Sequence, residues 1–251
     1  AERAEVVGRF DPDLLFDYRA RRPTLVILDG RPAELTWPEL TIRHRRLGER
    51  DLFVLSGPEP DFRWRELSVA AVEIARRLGV VEWISLGAIP AAVPHTRPVP
   101  ILGTQSISGL LQPGVAPGPE GLLRVPAAAV SVLDHAVAAA AIPAVGYFAQ
   151  IPHYVSGEYP GAAVELLRIT GRHLGADLSS LPLEDEATLL RTRLDAAAAG
   201  DAQTRTYVER MEAMVDESRQ PAGDDLIAEI EQFLRERGDP GEGRGRGGER
   251  G

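Results

Sequence analysis

The chain has 251 residues, 44% of them hydrophobic, so it can bury the core of one large domain or of one domain with a small appendage. Its net charge of -9 argues against nucleic acid or an anionic membrane as the main partner, and no apolar run reaches the roughly 18 residues of a membrane span. Cysteine and lysine are both absent, which excludes disulfides, thiol catalysis, a Walker phosphate loop and a Schiff-base lysine.

Short apolar runs rich in β-branched residues predict the strands. In chain order the predicted strands are Glu5–Phe10, Thr24–Asp29, Asp51–Ser56, Val81–Gly87, Val99–Gln105 and Ala144–Gln150. The stretch 32–50 is ambiguous, because Thr41–Arg45 fits either an alternating strand or a short helical turn. We favour a hairpin strand there.

Helical periodicity appears between these strands. The predicted helices are Phe62–Leu78, followed by Gly79, then Pro126–Ala141, and Pro160–Leu174, followed by Gly175. Strands that alternate with helices predict an α/β fold with helices on both faces of a sheet. The stretch Gln112–Glu120, rich in proline and glycine, is predicted to be a loop.

The pattern changes near residue 182. Three charged amphipathic helices follow with little between them, and we predict them at Glu184–Ala199, Ala202–Arg219 and Asp224–Arg237. The last residues contain no apolar side chain and are predicted to be disordered. The sequence therefore predicts an α/β/α domain over 1–181, a helical appendage over 182–237 and a disordered Gly/Arg tail over 238–251.

Two Pro-His pairs follow predicted strands and are the best candidates for a functional rim. His95 lies in Val93-Pro94-His95-Thr96-Arg97-Pro98, and His153 lies in Ile151-Pro152-His153-Tyr154. Loops at strand ends commonly carry function, so the two histidines could exchange protons as acid and base. The alternative is that each ring caps a strand-end carbonyl and packs against proline, which is the commoner role for such a residue.

Other candidate ligand-binding residues lie close to these histidines in sequence. Arg97 is suited to holding an anion through its planar guanidinium, and Thr96 and Tyr154 adjoin the histidines. Glu158, also a candidate catalytic residue, and Tyr159 are the predicted partners of Arg97. The spacing of the five histidines provides no His-x-x-x-His pair, so we predict neither a metal site nor a cofactor.

With these residues in hand, the chain resembles the proteasome assembly chaperone family, in its actinobacterial branch of uncharacterised proteins. The resemblance is carried by four stretches, which are Phe16–Pro23, Leu55–Trp64, Val93–Pro98 and Ile151–Val155. It implies a three-layer α/β/α fold with a mixed sheet, similar to the phosphorylase/hydrolase-like class. It also implies self-association, with a trimer among the expected forms, and a role alongside proteasome subunits.

Two departures from the family pattern bear on these expectations. The chain ends Glu249-Arg250-Gly251, without the hydrophobic-Tyr-any tail by which some relatives dock onto the proteasome. It begins at Ala1, without the upstream strand and glycine-rich Asp-Gly loop expected from relatives. Either the given sequence lacks that first strand and helix, or this member has lost them.

Two functions follow as hypotheses. The first is a cytoplasmic, non-enzymatic assembly or scaffold factor that acts as a homo-oligomer, because every search for a catalytic motif fails. The second is a small-molecule-binding protein or a hydrolase- or phosphorylase-type enzyme with its site around His95 and His153. Fold analogy alone is a weak argument for the second hypothesis.

Overall fold

The computed structural model describes residues 4–118 and 121–218. The described chain divides into two compact units. One contains residues 4–91 and 99–190, and the other contains residues 92–98 together with the helical residues from 191 onward. We call them the first and the second unit.

The first unit begins with an antiparallel three-stranded sheet of order β1-β4-β5. Its strands are β1 (Glu5–Arg9), β4 (Thr41–Leu47) and β5 (Arg50–Ser56). The short helix α1 (Pro12–Leu15) follows β1, with Asp11 accepting a hydrogen bond from the backbone N–H of Asp13 as its N-cap. The hairpin strand favoured at Thr41–Arg45 is therefore present as part of β4.

Between α1 and β4 the chain forms a separate two-stranded hairpin, which contains β2 (Thr24–Leu28) and β3 (Arg31–Thr36). The turn uses Asp29 and Gly30, both with positive φ, as expected for a two-residue hairpin loop. The sequence predicted β2 but not β3, since β3 carries a proline and two charged residues in six positions.

A four-stranded mixed sheet of order β6-β9-β7-β8 completes the strands of the first unit. Its strands are β6 (Trp83–Ala91), β7 (Ile101–Gln105), β8 (Ala116–Pro117) and β9 (Ala144–Pro152). β6 and β9 run parallel, whereas β7 is antiparallel to β9. The loop predicted at Gln112–Glu120 thus contains the two-residue strand β8, and its last two residues lie outside the described part of the chain.

Helices cover both faces of this sheet. Besides α1, three helices lie entirely within the first unit, and they are α2 (Trp64–Arg77), α3 (Ala129–Ala139) and α4 (Pro160–Leu174). α4 packs on Val145, Tyr147 and Ala149 of β9, whereas α3 packs on the opposite face, where Ala144 joins a cluster with Val137. The predicted α/β fold with a mixed sheet and helices on both faces is therefore confirmed.

The two glycines predicted to end helices adopt the left-handed conformation. Gly79 has a φ of 66° and Gly175 a φ of 65°, values that an L-residue adopts only at a cost. Within α4, Ala162, Leu166 and Ile169 form the buried stripe that faces the sheet. The boundaries of α2 and α4 agree closely with the helical periodicity of the sequence.

Helices follow α4 as predicted. They are α5 (Leu181–Gly200) and α6 (Ala202–Ser218), and the residues of both from position 191 belong to the second unit. The helix predicted at Asp224–Arg237 and the tail at 238–251 lie outside the described residues. The domain boundaries predicted from the sequence remain a prediction. The two compact units are divided differently, because the short loop 92–98 belongs to the same unit as the helical residues from 191 onward.

Candidate functional site

The loop that carries the first Pro-His pair is buried rather than open. It follows the end of β6, and Val93, Pro94 and His95 are all buried. His95 is only 3% exposed. Such a segment packs as a structural element, and the partners of its polar side chains therefore decide its role.

Arg97 is engaged by two carboxylates of α6. Its Nε and one terminal nitrogen donate to both carboxylate oxygens of Asp216, at 2.9 and 2.7 Å. Its other terminal nitrogen lies 3.2 Å from Oε1 of Glu212, which also accepts from the hydroxyl of Thr96. This two-point pairing is the strong form of an arginine–carboxylate contact. The guanidinium predicted to hold an anion therefore holds two side chains of the protein itself.

His95 contacts α5 in the same unit. Its Nε2 lies 3.2 Å from Oδ1 of Asp195, and burial lowers the pKa of His95 below its usual value while Asp195 opposes that shift. Arg191 lies one turn earlier on the helix and donates to the backbone carbonyl of Thr96 at 3.1 Å. We call these seven residues the loop clamp; they are His95, Thr96, Arg97, Arg191, Asp195, Glu212 and Asp216.

His153 belongs to the first unit, so the structure assigns the two candidate histidines to different units. Its Nδ1 lies 2.9 Å from the carbonyl oxygen of Ala91, the last residue of β6. Because a carbonyl only accepts, Nδ1 carries the hydrogen. The ring also packs edge-on against Tyr154, with centroids 5.8 Å apart. His153 thus caps a strand-end carbonyl, one of the two roles considered from the sequence.

The other two candidates lie at the start of α4. Glu158 is exposed, and Tyr159 packs against the core cluster beneath α4. The observed partners of Arg97 are Glu212 and Asp216, rather than Glu158 or Tyr159 as the sequence led us to expect. The catalytic roles of His95, His153 and Glu158, and the ligand-binding roles of Thr96, Arg97, Tyr154 and Tyr159, remain predictions.

Sequence reasoning missed the acidic half of the loop clamp. Glu212 and Asp216 are separated by four residues, as are Arg191 and Asp195, so each pair lies on one side of its helix. That spacing was a usable signal for a common partner. The partner itself was hidden, because more than 110 residues separate Arg97 from Glu212 and Asp216.

A second buried polar chain crosses the first unit. The hydroxyl of Tyr147, a fully buried residue, lies 2.6 Å from Nδ1 of His173, whose Nε2 lies 2.8 Å from Oε1 of Glu82. A carboxylate only accepts, so His173 donates from Nε2 and accepts the hydrogen of Tyr147 at Nδ1. Burial raises the pKa of the Tyr147 hydroxyl. This series of hydrogen bonds resembles a proton relay. However, Tyr147 has no access to solvent, and the hydrogen-bonding capacity of its hydroxyl is met by its partners.

The described residues show neither a metal-binding cluster nor a helix able to span a membrane. Nowhere in residues 4–118 and 121–218 do three histidine or acidic side chains come together in a way that could hold a metal ion. Every helix within those ranges is too short or too polar to cross a bilayer.

Comparison with known proteins decides the family. The sequence profile of the PAC2 family matches residues 2–198, which is most of the chain. The chain belongs to the PAC2 family. The resemblance to proteasome assembly chaperones noted in the sequence is thereby confirmed, and this PAC2 chain can be compared with solved relatives.

Three solved structures show how far the likeness of the PAC2 chain extends. A Corynebacterium glutamicum protein of unknown function is 29% identical, with a TM-score of 0.80 over 86% of this chain and 80% of its own. A Mycobacterium tuberculosis proteasome-assembly chaperone homologue is 31% identical, with a TM-score of 0.72 over 82% and 87%. A Streptomyces avermitilis PAC2 family protein is also 31% identical, with a TM-score of 0.70 over 82% and 87%. No curated protein matches the chain.

Proposed function

We propose that this PAC2 chain is a cytoplasmic, non-enzymatic assembly or scaffold factor that acts as a homo-oligomer, with proteasome subunits among its partners. The observation that carries the proposal is the hairpin β2–β3. All eleven of its strand residues are exposed, including Leu25, Ile27, Leu28 and Leu35. None of them joins a core cluster in the described part of the chain.

An isolated two-stranded hairpin is marginally stable in water, and an exposed apolar patch of this kind typically marks a protein–protein interface. Ile27 is 61% exposed and Leu28 is 66% exposed, on opposite faces of β2. A partner that covers either face of the hairpin therefore buries apolar surface, which stabilises the complex. An exposed hairpin whose β2 strand carries apolar side chains on both faces suits assembly better than catalysis.

The residues of the loop clamp support a non-enzymatic role. The guanidinium of Arg97 donates hydrogen bonds to Asp216 and Glu212, and His95 is buried beside Asp195. Neither side chain is presented as a free catalytic group. The likeness to the M. tuberculosis proteasome-assembly chaperone homologue supports proteasome subunits as partners. Helices on both faces of the mixed sheet support a phosphorylase/hydrolase-like fold.

The first experiment measures self-association. Analytical ultracentrifugation should find the wild-type chain as an oligomer, and the double variant Ile27→Asp, Leu28→Asp should associate at least tenfold more weakly. The expected size follows from the roughly 1.5–3 kcal/mol that burial of one large apolar side chain contributes. Val81→Asp is the matched control, because Val81 is 84% exposed but lies outside the hairpin. A monomeric wild type would contradict the oligomer.

The second experiment identifies the partner. Tagged protein is purified from its own host after mild cross-linking, and proteasome α-subunits are quantified by mass spectrometry against a tag-only control. We expect enrichment with the wild type and with Val81→Asp, and its loss with the hairpin variant. Recovery of a clean homo-oligomer without α-subunits would contradict the proteasome assignment and leave the scaffold role to other partners.

A further inference from the structure

The first unit contains a cavity that neither the loop clamp nor the assembly proposal uses. It has a volume of about 180 Å³ and lies between α3 and the strands β7 and β9. Its lining is mainly apolar, and the polar groups in it come from Thr104, Gln105, Ser106, Asp134 and His135. The cavity is smaller than the usual range of about 300–1,000 Å³ for ligand sites, which limits an occupant to a compact molecule.

Asp134 is the acidic residue that lines this cavity. Its Oδ1 accepts a hydrogen bond of 3.0 Å from the indole Nε1 of Trp83 and another from the hydroxyl of Ser85, a buried residue. Within the described ranges, Oδ2 of Asp134 accepts no hydrogen bond and pairs with no cation. One oxygen therefore anchors the carboxylate to β6, and the other is available to an occupant of the cavity that the residue lines.

Two further residues shape the cavity. At Gly146 an added Cβ would lie 2.6 Å from the hydroxyl oxygen of Thr104 and 2.7 Å from the ring of Phe148, so glycine allows these two side chains to pack directly against the strand. The hydroxyl oxygen of Ser106 accepts from the backbone N–H of Ala144 at 2.9 Å, which leaves its own hydrogen available as a donor.

The charge balance of the lining selects the class of ligand. No arginine lines the cavity, so no permanent positive charge in the lining neutralises the carboxylate of Asp134. A partly buried carboxylate with one free oxygen favours a cation that can donate N–H hydrogen bonds. We propose that this cavity binds a small organic cation, an amidinium, guanidinium or primary ammonium, whose N–H groups donate to Oδ2 of Asp134.

The site contains its own spectroscopic reporter. Trp83 donates its indole N–H to Asp134, and the chain has only three tryptophans, so the indole region of a ¹⁵N–¹H spectrum holds three peaks. The peak of Trp83 is identified by its loss in Trp83→Phe. Binding at Asp134 perturbs this hydrogen bond directly, whereas the indole N–H of Trp64 donates to the carbonyl oxygen of Pro60.

The probe is benzamidine, a single ring with one amidinium, and its neutral counterpart benzamide is the ligand control. Titration of the full chain with millimolar benzamidine should shift the Trp83 peak in a saturable way, and benzamide should not. Asp134→Asn should weaken benzamidine binding at least tenfold. Asp185→Asn, which removes an exposed carboxylate of α5 outside the cavity, should leave the affinity unchanged.

Ionisation of Asp134 provides a second readout. Burial raises the pKa of its carboxyl group above the usual value, against the two hydrogen bonds that lower it. Benzamidine affinity should therefore fall as the pH is lowered toward that raised pKa. His135 also lines the cavity, and its protonated form would repel the cation as well, so the titration uses His135→Gln as its reference protein. The loss should persist in His135→Gln and be absent when Asp134→Asn is added to it. The expected pH dependence separates charge recognition from simple filling of an apolar space.

Several outcomes would overturn the proposal. They are the absence of a saturable Trp83 shift, equal binding of benzamide and benzamidine, and an Asp134→Asn variant that binds as tightly as the wild type. If Asp134→Asn does not fold, as judged from the Trp37 and Trp64 peaks, Ala138→Leu decides, because Ala138 lines the cavity and leucine would fill it. Retained binding in Ala138→Leu also overturns the site. None of these results depends on whether the chain forms an oligomer.

Discussion

The protonation state of His95, the histidine of the loop clamp, depends on its surroundings. His95 is buried and lies beside the carboxylate of Asp195, so two opposing effects act on its protonation. Burial disfavours the imidazolium, and the negative charge favours it, with burial the larger of the two. The folded protein therefore binds the His95 proton more weakly than the unfolded chain does.

This difference predicts an acid-sensitive component of stability. A pKa that folding depresses contributes stability above its unfolded value of about 6.5 and loses it as the pH falls through the folded value. The free energy of unfolding, measured with urea at pH 7.5 and at lower pH, should fall on acidification. His95→Gln should show a smaller fall, whereas His135→Gln, at an exposed position of α3, should behave as the wild type. Equal pH dependence in all three proteins would contradict the assignment.

At this scale the sequence identified one side of each interaction. The spacing of Pro, His and Arg around position 95 singled out His95, Thr96 and Arg97, and all three enter the loop clamp. Their acidic partners could not be deduced, because many Asp and Glu residues in the amphipathic helices share the same local pattern. Asp134 was missed for another reason, since a single acid in an alanine-rich helix has no distinctive local signal.

Among the elements, those with a strong periodic pattern were predicted almost to the residue. α2 and α4 combine a buried stripe with a terminal glycine, and β9 is an apolar run that is buried along most of its length. β6, predicted at Val81–Gly87, instead spans Trp83–Ala91, and Ser85 is its one buried residue. β3 was missed because its exposed, charged sequence carries no alternation of buried and exposed residues. The pairing order of the strands depends on long-range packing, which a local pattern does not encode.

One glycine at the end of a strand has no room for a side chain, so its substitution is predicted to destabilise the fold. Gly57 follows β5, and an added Cβ would lie 2.3 Å from the carbonyl oxygen of Glu39 and 2.8 Å from the Cα of Leu40. Both atoms belong to the backbone that leads into β4, so they cannot move aside as a side chain would. Gly57→Ala should lower the free energy of unfolding by about 1–3 kcal/mol or more.

The matched control is Gly200→Ala, at the last residue of α5. No atom lies within 4 Å of an added Cβ at Gly200, and alanine is the better helix former by about 0.5–1 kcal/mol. Urea denaturation should therefore move the two variants in opposite directions. A Gly57→Ala variant as stable as the wild type would show that β4 and β5 can separate locally without cost.

For the molecule as a whole, the division into two units reassigns the most distinctive motif of the sequence. The loop 92–98 continues directly from β6, yet it is grouped with the helices from residue 191 onward. Local patterns predicted a boundary near residue 182, because composition changes there. They could not assign the loop to the second unit, since that grouping reflects contacts between segments about a hundred positions apart in sequence, such as those of His95 with Asp195 and of Arg97 with Asp216.

The loop clamp can therefore be loosened without loosening the sheets. Arg97→Gln removes the bidentate pairing and leaves Glu212 and Asp216, one turn apart on α6, as two like charges. Because the Arg97 side chain is 31% exposed, solvent screening limits what its ion pairs contribute to stability. We therefore expect a modest increase in amide hydrogen exchange in residues 92–98 and in α6. The strands β6 and β9 should keep their wild-type protection.

Arg193→Gln provides the comparison, because Arg193 lies on α5 in the second unit and forms no ion pair with any residue that the structure describes. Its exchange should match the wild type throughout. High salt should reproduce part of the Arg97→Gln effect in the wild type, since screening weakens a partly exposed ion pair. If exchange instead rises equally in the loop, in α6 and in the sheets, the clamp contributes to global stability and the second unit does not open independently.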